Sequence, residues 1–463
     1  MRPALLLVLA ACTQTPSGEG KDTDTSPTGG DDTGTSGPTD PSTAALDVTA
    51  RIADKVQTVV IVSWRTETET RGRVEFGAST DYGLVSNTTA AGTEHEVMLL
   101  GMNADTEVHF RVVTDGALGE QATGDHTITT GSLPTGVPPL IATGDPVTQW
   151  NYQVIPMQGG SYAVTIVDNA GHVVWYYMPE AEGNLMKAVL SHDRTAVVLG
   201  HAGSQDALEE GEIVWIGLDG ELLREEPFPY FDHDLTELPD GTIAAIVVES
   251  REREDGGQQQ ADQIVELAPD GTLTQIWSAW DTLDPDDYGL TEPNWTHSNA
   301  IEYLPDEDAY YLSMKSPGTI ARIERSTGEI DWMLNGKMNQ FTFPDDVEMV
   351  QMQHQFEVLD GRRMLIFDNG LQDRAYSRVQ ELQLDEVNMT VEELWTYVRD
   401  PSVYVFAKGD VARFADGTTQ VVWSSSGEIQ LVDADGELIW QANAELGQAI
   451  TFTQPFDDFY VRE

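Results

Sequence analysis

Tryptophan recurs at the end of a short hairpin throughout the C-terminal two-thirds of the chain, and this repeat restricts the fold more than any other feature. In most units a tight turn is followed by an apolar strand that ends in Trp, at Trp175, Trp277, Trp332, Trp395 and Trp440. Leu218–Leu223 has the same turn and strand without the Trp. Six units with a mean period of about 50 residues predict six four-stranded propeller blades.

A second turn recurs between the Trp hairpins. It lies at Leu238–Gly241, Leu304–Asp306, Leu359–Gly361 and Phe414–Gly417. Asp-Gly turns between alternating apolar runs are strong hairpin signals, and no stretch has a long amphipathic helical pattern. The sequence therefore predicts an all-β chain with a six-bladed β-propeller over residues 140–463, although five or seven blades remain open.

Residues 44–131 have a different texture, with short alternating strands outside the repeat. Val59–Trp64 and Glu107–Val113 are the clearest of these strands. Leu99–Met102 lies where a fibronectin type III domain carries its Leu-x-Gly-Leu turn, and Trp64 fits the core Trp of that fold. This region resembles a small fibronectin type III β-sandwich, which implies a spacer or packing module.

The N-terminus has the pattern of a lipoprotein signal peptide over residues 1–12. Arg2 is followed by the apolar run Ala4–Ala11 and by Cys12, the single Cys of the chain. Lipidation of Cys12 would anchor the protein to a bacterial membrane, and Thr13 favours the outer membrane with the protein facing the periplasm or the cell surface. An ordinary secretory signal with an incidental Cys is the alternative. Residues 13–43 are Thr, Ser, Gly, Pro and Asp with few apolar groups, which predicts a disordered tether.

The charge of the chain excludes two classes of anionic partner, nucleic acids and anionic lipid surfaces. With 25 basic and 78 acidic residues, the formal net charge is −53. Such a surface repels nucleic acid phosphates and anionic lipid headgroups, so we expect membrane contact through the lipid anchor alone.

Three histidines occupy one position of the repeat. His233, His297 and His354 each stand six to nine residues before the Asp of a blade's first turn. The strand before that turn is the innermost of a blade, so the three side chains are predicted to meet at one mouth of the central channel. Histidines that merely fill the channel wall are the alternative interpretation.

Several motifs around these histidines resemble the aryl-sulfate sulfotransferase family, and together they cover about residues 140 to 450. They are Trp295–Tyr303, Leu312–Lys315, Ile320–Trp332, Gln353–Phe356, Leu365–Gly370 and Ser377–Leu382. The resemblance implies sulfuryl transfer from an aryl sulfate to a phenol, with no nucleotide donor, no cofactor and no metal.

The resemblance also implies roles for individual residues. His354 matches the family's nucleophile, which forms a sulfohistidine, and His233, His297, Asn299 and Lys315 match the groups that bind the sulfuryl oxygens. Lys315 is a departure, because the family has Arg there and Lys offers a point charge in place of a planar fork.

Two other functions fit the same sequence. Three histidines are also a ligand set for a divalent metal, although Lys315 would oppose a cation and no carboxylate partner for the histidines is evident. A non-catalytic binding or adhesion propeller is the other alternative, which the change from Arg to Lys keeps open.

Overall fold

Strands make up nearly all the regular structure of the computed structural model. It describes residues 44–461 except 118, 160–161, 180–183, 204–207, 253–255 and 360–361. Cys12, the signal peptide predicted over residues 1–12 and the tether predicted over 13–43 lie outside the described residues. No helix in the described part of the chain is long and apolar enough to span a membrane.

The first seven strands lie before the repeat. They are β1 (Leu46–Ile52), β2 (Val60–Gly77), β3 (Leu84–Val85), β4 (Gly92–Leu99), β5 (Glu107–Gly116), β6 (Gly119–Ala122) and β7 (His126–Thr129). The first half of β2 pairs with β1 and β4, and its second half pairs with β3 and β5. Trp64 and Phe110 are buried in the core that these strands enclose. The resemblance to a fibronectin type III sandwich stays a prediction.

The remaining strands form six sheets, which are the blades of a six-bladed propeller. A single strand precedes the first blade, β8 (Leu140–Thr143). Blade 1 contains β9 (Tyr152–Gln158), β10 (Ala163–Asp168) and β11 (Val173–Tyr177). Blade 2 contains β12 (Asn184–Leu190), β13 (Ala196–Ala202), β14 (Glu212–Gly217) and β15 (Leu222–Pro227). Blade 3 contains β16 (Phe231–Glu237), β17 (Ile243–Glu252), β18 (Gln258–Leu267) and β19 (Leu273–Ser278). A short helix follows, α1 (Ala279–Thr282). Blade 4 contains β20 (Ser298–Leu304), β21 (Ala309–Met314), β22 (Thr319–Glu324) and β23 (Ile330–Leu334). Blade 5 contains β24 (Phe356–Val358), β25 (Arg363–Asp368), β26 (Arg378–Asp385) and β27 (Thr390–Tyr397). Blade 6 contains β28 (Asp410–Arg413), β29 (Thr419–Trp423), β30 (Glu428–Val432) and β31 (Leu438–Ala444). Two short strands end the chain, β32 (Ala449–Ile450) and β33 (Gln454–Phe456).

Both ends of the propeller sequence close the ring. The C-terminal strands β32 and β33 pair with β9 and supply the innermost position of blade 1. At the other end of the repeat, β8 pairs with β31 and adds a fifth strand to blade 6. The first and last blades are therefore each completed by a segment from the opposite end of the repeat, which leaves no blade short of a strand.

The recurring Trp lies in the outermost of the four core strands of five blades, as the repeat predicts. Trp175, Trp277, Trp332, Trp395 and Trp440 lie in β11, β19, β23, β27 and β31. In blade 2 the equivalent position in β15 is Arg224, which pairs with Trp215 of β14 and stacks on its ring at 4.5 Å. The degenerate unit thus keeps an aromatic ring at this point by moving it to the neighbouring strand.

Side chains of the innermost strands tie each blade to the next. A propeller leaves backbone N–H groups of these strands without a ladder partner, and such groups need an acceptor when they are buried. Each tie is a backbone N–H that donates to an acidic or amide side chain of an adjacent blade. The pairs are Ile301 to Asp234 (3.0 Å), Val358 to Glu302 (2.9 Å), Arg413 to Glu357 (2.6 Å), Thr453 to Asp410 (2.8 Å), Leu190 to Gln454 (2.7 Å) and His192 to Glu237 (2.8 Å). Part of the acidity of the chain therefore serves to join the blades.

Glu302 should make the stability of the propeller depend on pH. Burial, opposed by the hydrogen bond from Val358, raises the pKa of Glu302 to about 8. Because the pKa of Glu302 is higher in the folded than in the unfolded chain, its contribution to stability is fully present below the unfolded-state pKa. This contribution is lost as the pH rises through the folded-state pKa. Glu302→Gln keeps an acceptor for Val358 and cannot ionise, so we expect it to match the wild type at pH 4 and to be more stable by about 1–3 kcal/mol at pH 9. Thermal unfolding at both pH values measures this, with the exposed Glu386→Gln as control, and an equal difference at both pH values would contradict it.

Candidate active site

The three predicted histidines lie at the same end of three neighbouring innermost strands. His233 is in β16, His297 directly precedes β20, and His354 lies two residues before β24. The rings of His233 and His297 are 5.0 Å apart between centroids. His233, His297 and Lys315 lie close enough to His354 that a positive charge on any of them lowers its pKa. These four residues are called the histidine cluster below. Of the five site residues that the sequence predicts in the propeller, four therefore have their side chains in one cluster.

Asn299, the fifth predicted residue, has a different environment. It is fully buried in β20, and its side-chain amide donates to the backbone oxygen of Gln353 at 2.8 Å. This bond joins blade 4 to the residue directly before His354. Its Oδ1 atom has no hydrogen-bond partner among the described residues. Asn299 thus holds the His354 segment in place and has one acceptor atom left.

Two of the histidines adopt a backbone conformation that is rare outside glycine. The φ angles are 57° at His233 and 44° at His297, in the left-handed region. Asp262 of β18 stabilises the second of these turns, because it accepts hydrogen bonds from the Thr296 hydroxyl at 2.6 Å and from the Ser298 backbone at 2.5 Å. A carboxylate of blade 3 therefore fixes the loop that presents His297 from blade 4.

His233 is the histidine whose surroundings favour the charged form. Burial alone would lower its pKa, but the carboxylates of Asp232 and Asp262 outweigh this and raise the pKa above its usual value. The Nδ1 atom of His233 lies 2.8 Å from Asp232 Oδ1. The sequence-based expectation that no carboxylate accompanies the histidines is wrong at this position, where the partner is the adjacent residue.

His297 and His354 are both neutral. Burial, reinforced by the charges of His233 and Lys315, lowers the pKa of His297 to about 4 and that of His354 to about 3. Because two positive charges repel each other at this distance, protonation of one of the two rings disfavours protonation of the other. The carboxylate of Asp232 favours the charge on His233. The cluster therefore combines one imidazolium with two neutral imidazoles.

Asn369 determines which nitrogen of His354 carries hydrogen. Its amide Nδ2 donates to the backbone oxygens of Val405 at 2.9 Å and Lys408 at 2.7 Å, so its Oδ1 must be the atom that faces His354. That oxygen lies 2.8 Å from His354 Nδ1. An amide oxygen only accepts, so Nδ1 is the protonated nitrogen and Nε2 of the neutral ring has a free lone pair.

Lys315 adds a second cation to the cluster. It follows β21, and its backbone N–H donates to the carbonyl oxygen of His297 at 3.1 Å. Burial lowers the pKa of its ammonium group from the usual value. None of the carboxylates in the described part of the chain lies within ion-pair distance of its Nζ atom. Lys315 therefore has charge available for an anion.

The described residues contain no group of three or more His, Cys, Asp or Glu side chains with the geometry to hold a metal ion. With one imidazolium, one ammonium and two neutral imidazoles, the cluster has the donors that an anion with several oxygens needs.

Comparison with known proteins identifies the family. The profile of the arylsulfotransferase (ASST) family matches residues 156–430, which is more than half of the 463 residues. The chain belongs to this family. The matched stretch includes all four members of the histidine cluster together with Asn299 and Asn369, whereas Cys12 lies outside it.

Curated relatives of this arylsulfotransferase-family chain are distant. Arylsulfate sulfotransferase AssT of Escherichia coli O6:H1 and AssT of Lelliottia amnigena are each 24% identical to it, over 40% of this chain and 44% of the relative. The chain thus matches less than half the length of these relatives.

Solved structures give lower overall similarity. A protein of unknown function from Bacteroides caccae is 14% identical with a TM-score of 0.45, covering 66% of this chain and 100% of that one. A streptogramin B lyase is 12% identical with a TM-score of 0.37, covering 65% and 86%.

Proposed function

We propose that this chain transfers a sulfuryl group from an aryl sulfate to a phenol through a covalent sulfohistidine at His354, without a nucleotide donor. The orientation of Asn369 carries this proposal. This orientation places hydrogen on Nδ1 of His354 and leaves the Nε2 lone pair unprotonated. Burial keeps the ring neutral, and His233 and Lys315 supply positive charge to the same cluster. Nucleophile and anion-binding charges therefore occur together, as group transfer requires.

In the first half-reaction, His354 Nε2 attacks the sulfur of the donor. The Nε2–S bond forms as the S–O bond to the aryl group breaks, and the electron pair leaves on the phenolate oxygen. In the second half-reaction, the acceptor phenol loses its proton as its oxygen bonds to the sulfur, the Nε2–S bond breaks, and its electron pair returns to Nε2. The phenolate released in the first half-reaction takes up a proton, so none is gained or lost over the cycle.

The surrounding charges serve the transition state. A transferring sulfuryl group, like a phosphoryl group, spreads negative charge over its peripheral oxygens. His233, whose charged form Asp232 favours, would bind these oxygens together with Lys315 and His297, and Asn299 would hold the His354 segment through its bond to Gln353. Because the donors are held by the blades, they need little reorganisation during the reaction.

The test is transfer by the purified protein from 4-nitrophenyl sulfate to phenol, with a chelator present and no nucleotide added. We expect release of 4-nitrophenol that depends on phenol, with formation of phenyl sulfate. Loss of turnover with the chelator would favour a metal-dependent enzyme, and absence of turnover with a panel of aryl sulfates would favour a binding protein.

We also propose that residues 1–12 are a lipoprotein signal peptide and that acylated Cys12 anchors the protein to the outer membrane through the tether 13–43. The fibronectin type III-like region 44–131 would then separate the propeller from the membrane. The sequence pattern supports this arrangement. Mass spectrometry of the mature N-terminal peptide should find acyl chains on Cys12, and an unmodified Cys12 would contradict it.

A further inference from the structure

Among the lysines that the structure describes, Lys315 and Lys408 lack a carboxylate partner, and Lys408 has no role in the site described so far. Lys55, Lys187 and Lys337 pair with Glu221 (2.9 Å), Asp234 (2.9 Å) and Glu292 (3.8 Å). Lys315 and Lys408 have no carboxylate of the described residues within ion-pair distance. In a chain with a net charge of −53, this selective lack of partners needs an explanation.

Lys408 occupies in blade 6 the position that the histidines occupy in blades 3 to 5. It stands just before the innermost strand β28, as His297 and His354 stand just before β20 and β24. Its φ angle of 60° is in the same left-handed region as that of His297. Blade 6 is the neighbour of blade 5, so Lys408 continues the series of mouth positions on the His354 side.

Hydrogen bonds connect Lys408 directly to the His354 support. Its backbone oxygen accepts from Asn369 Nδ2 at 2.7 Å, and Asn369 Oδ1 contacts His354 at 2.8 Å. Its Nζ atom donates to Gln158 Oε1 at 2.7 Å, at the end of β9 in blade 1. A neutral amide is a weak partner for a half-buried ammonium, so the deprotonated amine is stabilised relative to a solvated lysine.

The proposed reaction needs a base that the histidine cluster does not supply. The acceptor phenol must lose a proton from a group with a pKa of about 10. His354 is blocked by the sulfuryl group, His233 is already protonated, and the pKa of His297 is lowered to about 4 by burial, which makes it a poor base for a phenol. Burial lowers the pKa of Lys408 to about 8, which is nearer to the pKa of the acceptor phenol than that of His297 and is close to neutral pH.

We propose that Lys408 is the general base that deprotonates the acceptor phenol, an assignment that rests on the proposed function. The neutral Nζ takes the phenol proton while the phenol oxygen bonds to sulfur and the Nε2–S bond of His354 breaks. In the next cycle the Lys408 ammonium returns this proton to the departing phenolate. Proton and charge therefore balance over the two half-reactions.

Lys408→Met and Lys408→Arg test the assignment in the full chain, with the ion-paired Lys337→Met as control. The 4-nitrophenol burst without acceptor reports the first half-reaction, and transfer from the sulfated protein to phenols of different acidity reports the second. We expect 4-nitrophenol bursts within about twofold of wild type, because 4-nitrophenolate is a good leaving group that departs without a proton from Lys408. Transfer to phenol should be about 10²-fold slower in both variants, and transfer to already ionised nitrophenols less than about threefold slower. Arg keeps the charge and cannot act as a base, so both variants should fail alike.

The outcomes separate this assignment from the function it rests on. Absence of a burst and of sulfated protein in the wild type would overturn the proposed function and this role with it. A normal wild-type burst with acceptor transfer unchanged in Lys408→Met, or restored in Lys408→Arg, would overturn the role of Lys408 alone. An equal loss with all acceptors would also overturn it. Circular dichroism and the burst amplitude show that each variant is folded.

Discussion

Replacement of His354 by Asn is expected to abolish sulfuryl transfer, with a fall in kcat of at least about 10⁴-fold. His354 is the member of the histidine cluster whose hydrogen bond to Asn369 leaves Nε2 unprotonated, and the charges of His233 and Lys315 act on it. An amide nitrogen has no comparable lone pair, so no covalent intermediate can form. The measurement is the pre-steady-state burst of 4-nitrophenol together with intact mass, which should show an added sulfuryl group on the wild type only.

His192→Asn is the matched control, because His192 is exposed and contacts the protein through its backbone N–H. This variant should keep the wild-type burst within about twofold. His354→Asn removes one buried hydrogen bond and some volume, so it should remain folded with a loss of about 1–3 kcal/mol in the free energy of unfolding. A folded His354→Asn variant with full rate would show that the nucleophile is another residue.

The sequence was sufficient for the architecture of the propeller because its signals are local. Each Asp-Gly turn and each Trp belongs to one hairpin, so the period of the Trp positions counts blades directly. The structure confirms six blades. It also explains the blade without the recurring Trp, where Arg224 occupies the Trp position and stacks on Trp215 of the neighbouring strand. The two-ended closure by β8 and by β32 and β33 has no local signal, because it joins residues about 300 apart in sequence.

The site was predictable only where it follows the repeat. His233, His297 and His354 recur at one repeat position, and the structure brings them together with Lys315. Asp262 reaches the His297 loop from another blade, and Asn369 depends on two backbone oxygens of the loop before β28. Lys408 occupies the repeat position without being a histidine. No sequence spacing reports such contacts, because they arise from packing between blades.

The charge of the chain also has a meaning that composition did not reveal. Asp234, Glu302, Glu357 and Asp410 are inside the propeller, where they accept backbone hydrogen bonds from the next blade. Lys187 pairs with Asp234 among them. Some of the acidic side chains counted in the formal net charge therefore lie in the interior, where burial raises the pKa of Glu302 to about 8 and that of Glu357 to about 7.

Replacement of Asn369 by Leu should lower kcat by about 10²–10³-fold while His354 remains in place. Without the Asn369 oxygen, nothing in the described surroundings holds hydrogen on Nδ1, and the tautomer with Nε2 protonated has no lone pair for sulfur. A wrong histidine tautomer costs about 10⁴-fold in kcat in serine proteases, which makes a smaller loss reasonable for a partial shift. Steady-state kinetics with 4-nitrophenyl sulfate measures the loss, and the exposed Asn388→Leu is the control.

The tautomer itself provides a readout independent of turnover. In ¹⁵N-labelled protein, the imidazole shifts of His354 should show a protonated Nδ1 and a bare Nε2 in the wild type, and a mixture of the two tautomers in Asn369→Leu. Asn369→Asp should retain the wild-type tautomer, because a carboxylate oxygen also accepts from Nδ1, but it loses stability because it faces the carbonyl oxygens of Val405 and Lys408. Slow transfer by Asn369→Leu with an unchanged His354 tautomer would mean that Asn369 acts through packing alone, and the lone pair on Nε2 would need another source.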